Sequence, residues 1–213
     1  MKNEQELFWQ GSFGNKYIQR NKFNKIQDFN DFYIKRYGLT REQINKRFLK
    51  NINVNKPVLE VGCNIGNQLI ALQNIGFKNL FGVDINKKSL IEAKKNTNIN
   101  FLESSAFDLP FKDNYFNLVF TNNVLIHIKP SNLDKIFNEI YRVSDKFIMG
   151  FEYYNKSLIN IKYRNHKNRL WKGDYSNMFL KKFSNLKIIK EKIYKCHDEN
   201  KDIYDKMFLL KKI

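Results

Sequence analysis

The stretch Pro57-Val58-Leu59-Glu60-Val61-Gly62-Cys63-Asn64-Ile65-Gly66 constrains this chain more than any other. An apolar run of strand length enters a glycine turn and leaves it in the helical pattern Asn67-Gln68-Leu69-Ile70-Ala71-Leu72. Strand, turn and helix in that order aim a helix N-terminus beyond the strand's carboxyl end, where its amides bind polar or anionic groups. Gly62 and Gly66 let the backbone pass close to a ligand. A second apolar run, Asn79-Leu80-Phe81-Gly82-Val83-Asp84, ends in an acid. In this layout a carboxylate at the second strand's tip accepts hydrogen bonds from both ribose hydroxyls of a nucleoside. The two features together predict a nucleoside-binding α/β domain.

Spacing selects the nucleoside. A dinucleotide fingerprint, G-x-G-x-x-G, keeps its middle glycine to make room for a pyrophosphate. Here the middle position is Asn64, whose side chain would crowd a diphosphate. The pattern Glu60-x-Gly62-x-Asn64-x-Gly66, followed by Asp84, instead resembles the first motifs of class I S-adenosylmethionine-dependent methyltransferases, usually E/D-x-G-x-G-x-G. Asn64 departs from that pattern. The resemblance implies S-adenosylmethionine as cofactor and S-adenosylhomocysteine as product. It also implies contacts from Glu60, Gly62, Cys63, Asn64, Gly66, Asp84 and Ile85.

The organisation fits. Strands are expected at 57–61, 79–84, 99–103, 116–121 and 146–152, and helices near 65–75, 87–96 and 131–143. Such alternation implies a parallel sheet whose ligands bind outside the carboxyl edge. The resemblance adds a closing antiparallel hairpin, 186–195 and 204–212, for seven strands in a Rossmann-like, mostly parallel sheet. Residues 1–56 are polar with aromatics at helical spacing (Phe29, Phe32, Tyr33, Tyr37), and Thr40 with Gln43 reads as a capping box. Two or three helices are expected there, forming an N-terminal cover of 1–56 on a methyltransferase domain of 57–213. Within it, the aromatic and basic segment 153–184 reads as a substrate-side insertion.

A chain of 213 residues with 42% hydrophobic content is long enough for a real core. No run reaches the roughly 18 apolar residues a membrane helix needs, and the first residues lack the apolar centre of a secretion signal. A cytoplasmic protein without membrane insertion is expected. Cys63 and Cys196 fit no metal or redox spacing, so two reduced thiols and no metal site are expected. The formal charge of +17 is carried mostly by scattered lysines, with no block of five or six. Together with abundant Asn, Ile and Phe, this favours compositional drift first and attraction to an acidic small substrate second. Nucleic acid comes third, because its selected contacts tend to use arginine.

Further candidates follow the later strands. In Glu103-Ser104-Ser105-Ala106-Phe107-Asp108-Leu109-Pro110-Phe111, Ser105 stands where related enzymes usually carry Asp. The backbone of Ala106 is then expected at the adenine amino group, with Phe107 over its face or in the core. The segment from Phe116 to Ile128 resembles the F-D-x-V-x-x-x-x-V-L-x-H stretch of the same superfamily. This places Thr121 and Asn122 at the cofactor's methionine end. His127 is a candidate general base, since an imidazole accepts protons near neutral pH; packing at the pocket wall is the alternative. Glu152 and Tyr153, at the fifth strand's tip, are further catalytic or substrate-orienting candidates.

The opening Glu6-Leu7-Phe8-Trp9-Gln10-Gly11-Ser12-Phe13-Gly14-Asn15-Lys16-Tyr17-Ile18-Gln19-Arg20-Asn21 resembles the F-W-x-G-x-F-G-x-x-Y-x-x-R-N start of the methyltransferases associated with pseudaminic acid biosynthesis. Val124–Ile128 with Pro130, and Phe147–Tyr154, are similar to that family too. It implies a small acceptor, an acidic sugar or sugar nucleotide of surface-glycan synthesis among them, methylated on oxygen or nitrogen. Tyr17, Arg20 and Asn21 share a helix face, and with Trp9 they are expected as lid or ligand contacts. The rival readings are an RNA or protein methyltransferase using the basic surface, and a non-catalytic nucleoside-binding module. Absence of an N-P-P-Y or D-P-P-Y tetrad after the fourth strand counts against the base-methylating form of the first. Gly62, Gly66 and Asp84 together count against the second. Oligomeric state is not legible.

Overall fold

The computed structural model describes residues 3–23, 25–197 and 203–213. The chain forms two compact units, Met1–Pro110 and Phe111–Ile213. The boundary expected at 56/57 therefore lies inside the first unit.

That unit opens with four helices rather than two or three: α1 (Glu4–Gln10), α2 (Ser12–Arg20), α3 (Ile26–Tyr37) and α4 (Arg41–Leu49). Each boundary has a local cause. Asn3 caps α1, accepting from the amides of Gln5 and Glu6 at 2.9 and 3.0 Å, while its own amide donates to Glu6 at 2.7 Å. Gly38, at φ 70°, ends α3 in the left-handed conformation that costs glycine nothing. The expected Thr40–Gln43 capping box starts α4, with reciprocal bonds of 2.9 and 3.0 Å. Phe29, Tyr33, Tyr37, Ile44, Phe48 and Leu49 turn inward as their helical spacing dictates.

The α/β part follows as β1 (Val58–Val61), α5 (Asn67–Asn74), β2 (Leu80–Asp84), α6 (Lys87–Asn96) and β3 (Asn100–Glu103). The strands lie in the order β3-β2-β1, all parallel, with Val61 beside Val83 and Asp84 beside Glu103. β1 is buried on both faces, which is why its residues other than Glu60 are all apolar. The parallel register brings the ends of all three strands, and the loops after them, to one edge.

The second unit holds β4 (Phe116–Asn122), α7 (Leu133–Val143), β5 (Ser144–Tyr153), a hairpin β6 (Ile159–Tyr163) and β7 (His166–Lys172), α8 (Tyr175–Lys182), β8 (Leu186–Lys195) and β9 (Tyr204–Lys212). β4 and β5 are parallel; β9 runs antiparallel between β5 and β8. Helix α7 buries Ile136, Phe137, Ile140 and Val143 on one stripe, each stabilising by roughly 1.5–3 kcal/mol. Of the segment 153–184 expected as an insertion, β6 and β7 form a separate two-stranded sheet. Helix α8 instead packs on β5 and β8 and continues the alternation. Strand β8 is the last in its order, with Ile188, Ile189 and Ile193 exposed among lysines.

Candidate functional site

In the first unit, the loop after β1 is built by backbone geometry. The amides of Gly62 and Cys63 donate to the Val83 carbonyl at 2.8 and 2.9 Å, and the Gly66 amide to the Cys63 carbonyl at 2.9 Å. Gly62, Asn64 and Gly66 all have positive φ, at 76°, 49° and 81°. At Gly66 a Cβ would also meet the Phe101 ring at 2.8 Å. Asn64, the departure from the family pattern, thus keeps the left-handed turn that glycine usually supplies, since asparagine tolerates it.

Asp84 ties this loop to the next. Its carboxylate accepts from the Asn64 amide and from the Asn86 amide, both at 2.8 Å. Ser89 and the Ile85 amide also hydrogen-bond it. Burial raises the Asp84 carboxyl above its ordinary value, and the hydrogen bonds from Asn86 and Asn64 pull the other way. Glu60, 2% exposed, is pushed up strongly by burial, against the attraction of Arg41. Its Oε2 has no hydrogen-bond partner within the protein. Burial likewise raises the Cys63 thiol, first of all causes, so this sulfur is a neutral neighbour of the loop rather than a nucleophile.

The loop after β3 is organised by Ser105, which accepts from the Phe107 amide at 3.1 Å and donates to Glu6 at 2.5 Å. Ala106 and Phe107 are half-buried. Glu6 was not singled out from sequence, nor were Gln10, Asn67 and Asn86, yet these carry the N-terminal helices onto the carboxyl edge. Gln10 donates to the Ile85 carbonyl at 2.9 Å, Asn86 to the Trp9 carbonyl at 2.9 Å, and Asn67 to the Asn21 carbonyl at 3.2 Å. Glu6 and Asn86 left local traces, as the third residue of a capping box and as the N-cap of α6. The bonds of Gln10, Asn67 and Asn86 between elements act over long range, which no spacing reveals.

Trp9, Tyr17 and Arg20 come together, but with one another. The Trp9 and Tyr17 rings meet edge to face at 5.3 Å, and the Arg20 guanidinium lies 5.2 Å from the Phe13 ring centre and 5.6 Å from that of Tyr17. Asn21 caps its own helix, donating to the Tyr17 carbonyl at 2.8 Å.

In the second unit, Thr121 is buried and Asn122 half-buried as the last two residues of β4. His127 lies in a short 3-10 turn, Leu125–His127, and is 7% exposed. Its Nδ1 is 2.7 Å from the Arg169 carbonyl, which can only accept, so Nδ1 carries the proton and Nε2 is the basic nitrogen. Its ring lies 5.0 Å from that of Tyr163. Burial lowers its pKa to about 4, the hydrogen bond to Arg169 opposing. Glu152, 2% exposed, accepts from the amides of Val124 and Ile126 at 3.3 and 3.4 Å, and burial raises its pKa to about 7. Tyr153 is half-buried, with the Lys172 ammonium 5.7 Å from its ring centre. Among the described residues no three His, Cys, Asp or Glu group as metal ligands would, and no helix is long and apolar enough to cross a membrane.

Known proteins bear on this geometry. Residues 59–146 match the family described as methyltransferase domain. An uncharacterized methyltransferase of Synechocystis is 30% identical over 105 residues, covering 48% of this chain and 49% of that protein. An uncharacterized protein of Haemophilus influenzae is 32% identical over 95 residues, covering 41% and 38%. The chain thus spans half or less of the curated relatives it matches. Among solved structures, the magnesium protoporphyrin IX methyltransferase ChlM from Synechocystis, with bound S-adenosylhomocysteine, superposes with a TM-score of 0.70 at 15% identity over 97% of both chains. The same enzyme with bound S-adenosylmethionine gives 0.69 at 14% identity. The fold is therefore the Rossmann-like α/β fold of class I methyltransferases, with seven strands in a mostly parallel sheet and helices before it.

Proposed function

We propose that this chain is an S-adenosylmethionine-dependent methyltransferase acting on oxygen or nitrogen of a small acceptor. The observation that carries the reading is the bond from the Asn64 amide to Asp84, which joins a glycine turn to a carboxylate at the tip of β2. This pairing fits a nucleoside, a strand-tip carboxylate being suited to a ribose diol and a glycine turn to a closely approaching chain. Asp84 would hold the ribose, Gly62 to Gly66 the backbone of the methionine part, and the Ala106 amide with Phe107 the adenine. Thr121 and Asn122 are proposed at the methionine end.

When bound, the cofactor supplies a sulfonium-activated methyl group. The protein's share is then to align the acceptor and exclude water. The candidates beside the acceptor are His127, Glu152 and Tyr153. With a pKa of about 4, His127 is neutral at physiological pH, and its Nε2 is oriented by the bond from Nδ1–H to Arg169. It can take a proton from a hydroxyl, though less readily than an ordinary imidazole; a neutral amine acceptor asks for no base.

The acceptor class we favour is an acidic sugar or sugar nucleotide of nonulosonic acid type, which follows from the resemblance of the opening segment. The hairpin region supports a negative acceptor: residues 153–173 contain Lys156, Lys162, Arg164, Lys167, Arg169 and Lys172 and no carboxylate. The same stretch, with the overall +17, is what favours the second reading, an RNA or protein acceptor. Incubation with methyl-labelled cofactor and a panel of free and nucleotide-linked nonulosonic acids, transfer RNA and protein separates them. Label in a sugar supports the proposal; label only in RNA or protein replaces it. Failure to bind the cofactor by calorimetry ends both.

A further inference from the structure

Glu152 ends β5 with its carboxylate turned away from solvent, at 2% exposure. One oxygen accepts from the Val124 amide at 3.3 Å and the other from the Ile126 amide at 3.4 Å. The Thr121 hydroxyl and the Leu125 amide also hydrogen-bond it. A single carboxylate therefore gathers donors from the end of β4 and from three successive residues of the turn beyond. The same turn is held a second time by the Asn123 amide, which donates to the Phe151 carbonyl at 2.9 Å from a backbone at φ 54°. Between these two anchors Asn122 and Asn123 keep buried Oδ1 atoms without a partner inside the protein. Two acceptors thus sit on a turn held by one acid and by one backbone bond to β5.

The geometry points to Glu152 as the positioning residue of the turn from Thr121 to His127: ionised, it fixes the turn, and on protonation it releases the amides. A carboxylate accepts at both oxygens, whereas a carboxylic acid gives up part of that capacity to its own proton. Hydrogen bonds to an ionised group are also about twice as strong as neutral ones. This assigns Glu152 a role through the turn rather than on the substrate, and it rests on the reading that this turn borders the methyl-transfer site.

The neighbours leave the switch to Glu152 itself. Tyr175, from α8, donates its hydroxyl to the Trp171 carbonyl, and burial and then Glu152 raise its pKa, so it stays neutral. Lys206 stands opposite Glu152 in the β9 register, but its ammonium is held by Asp174 at 2.9 Å and Glu191 at 2.8 Å. His127, on the same turn, is neutral above a pH of about 4. Thr121 does not titrate. Burial brings Glu152 itself towards neutrality, to about 7.

The test is a pH titration of the whole chain followed by amide NMR. Val124, Leu125 and Ile126 are expected to shift together, in one sigmoid with a midpoint near pH 7, and their protection from hydrogen exchange is expected to fall on the acid side. Glu152→Gln removes the transition. Titration of the Glu152 carboxyl carbon in the unaltered protein is a second measurement, needing no variant to fold; its midpoint should coincide with that of the amides. Amides that do not move through pH 5.5–8.5, or that move equally in Glu152→Gln, overturn the assignment. S-adenosylhomocysteine binding, measured by calorimetry on the same samples, tests the cofactor reading separately. Binding with unmoved amides sinks only the positioning role, and moving amides without binding sink only the methyltransferase reading.

Discussion

In the proposed reading Asp84 would hold the ribose, its carboxylate also tying the glycine loop through the Asn64 amide. Replacing it with alanine should weaken S-adenosylmethionine binding by about 1.5–3 kcal/mol, the worth of a charge-assisted hydrogen bond. Calorimetry on the two proteins decides it, and unchanged affinity would detach Asp84 from the ribose. Asn64 makes a smaller, cleaner case. Its φ of 49° costs a residue with a Cβ roughly 1–2 kcal/mol unless the side chain tolerates that region. Asn64→Ala should therefore lower unfolding stability by about 1 kcal/mol while Asn64→Gly leaves it near the parent value, as denaturant midpoints will tell. Equal losses in both would mean that the asparagine side chain, not the backbone, holds the turn.

At the scale of the element, the turn after β4 and the β5 tip that holds it carry two buried groups whose linkage to pH has opposite signs. Glu152 has a folded pKa raised from 4.5 to about 7, so the folded state gains stability as pH falls from about 7 towards 4.5. His127 has a folded pKa lowered from 6.5 to about 4, so its contribution is present above 6.5 and is lost as pH falls through 4. Each shift corresponds to about 3 kcal/mol over its window, at 1.36 kcal/mol per unit. As far as these two are concerned, the intact protein should change little between pH 7 and 4.5. Glu152→Gln should uncover the loss due to His127, falling by about 3 kcal/mol between pH 6.5 and 4 in chemical denaturation. A variant whose stability tracks the parent across that range would show that one of the two groups titrates as if in water.

The elements themselves were legible where periodicity or local chemistry sets them. The apolar residues Val58, Leu59 and Val61 around Glu60, the Thr40 and Gln43 pair, and the stripe of α7 each announce their structure in the sequence. Glu152 and His127 show the opposite. Their positions at a strand tip and in the turn after β4 could be read, and suggested chemistry. What each side chain touches depends on backbone amides and carbonyls brought in from other elements, which carry no residue-type signature. The same holds for the bonds of Glu6 with Ser105, Gln10 with Ile85 and Asn86 with Trp9, whose partners are remote in sequence.

For the whole molecule, the question is whether a charge of +17 is used. Lysines spread without an arginine cluster should give weak, general attraction to polyanions. Binding of duplex or transfer RNA should therefore fall steeply with salt, with no ligand held at nanomolar strength near physiological ionic strength. A filter-binding series across salt concentrations checks this. Tight, salt-tolerant binding would move the acceptor from sugar to RNA.

That excess of lysine has a colloidal consequence at one place. Strand β8 closes its sheet with Ile188, Ile189 and Ile193 exposed, a kink in register between Ile188 and Lys190, and Lys187, Lys190 and Lys192 interleaved. Open strand edges lined with isoleucine recruit other chains; charges and bulges are what keep them apart. On that principle the three ammonium groups are expected to keep molecules apart at this edge. Exchanging all three for glutamine should leave each molecule folded yet make concentrated solutions scatter light at low ionic strength, where the parent stays clear.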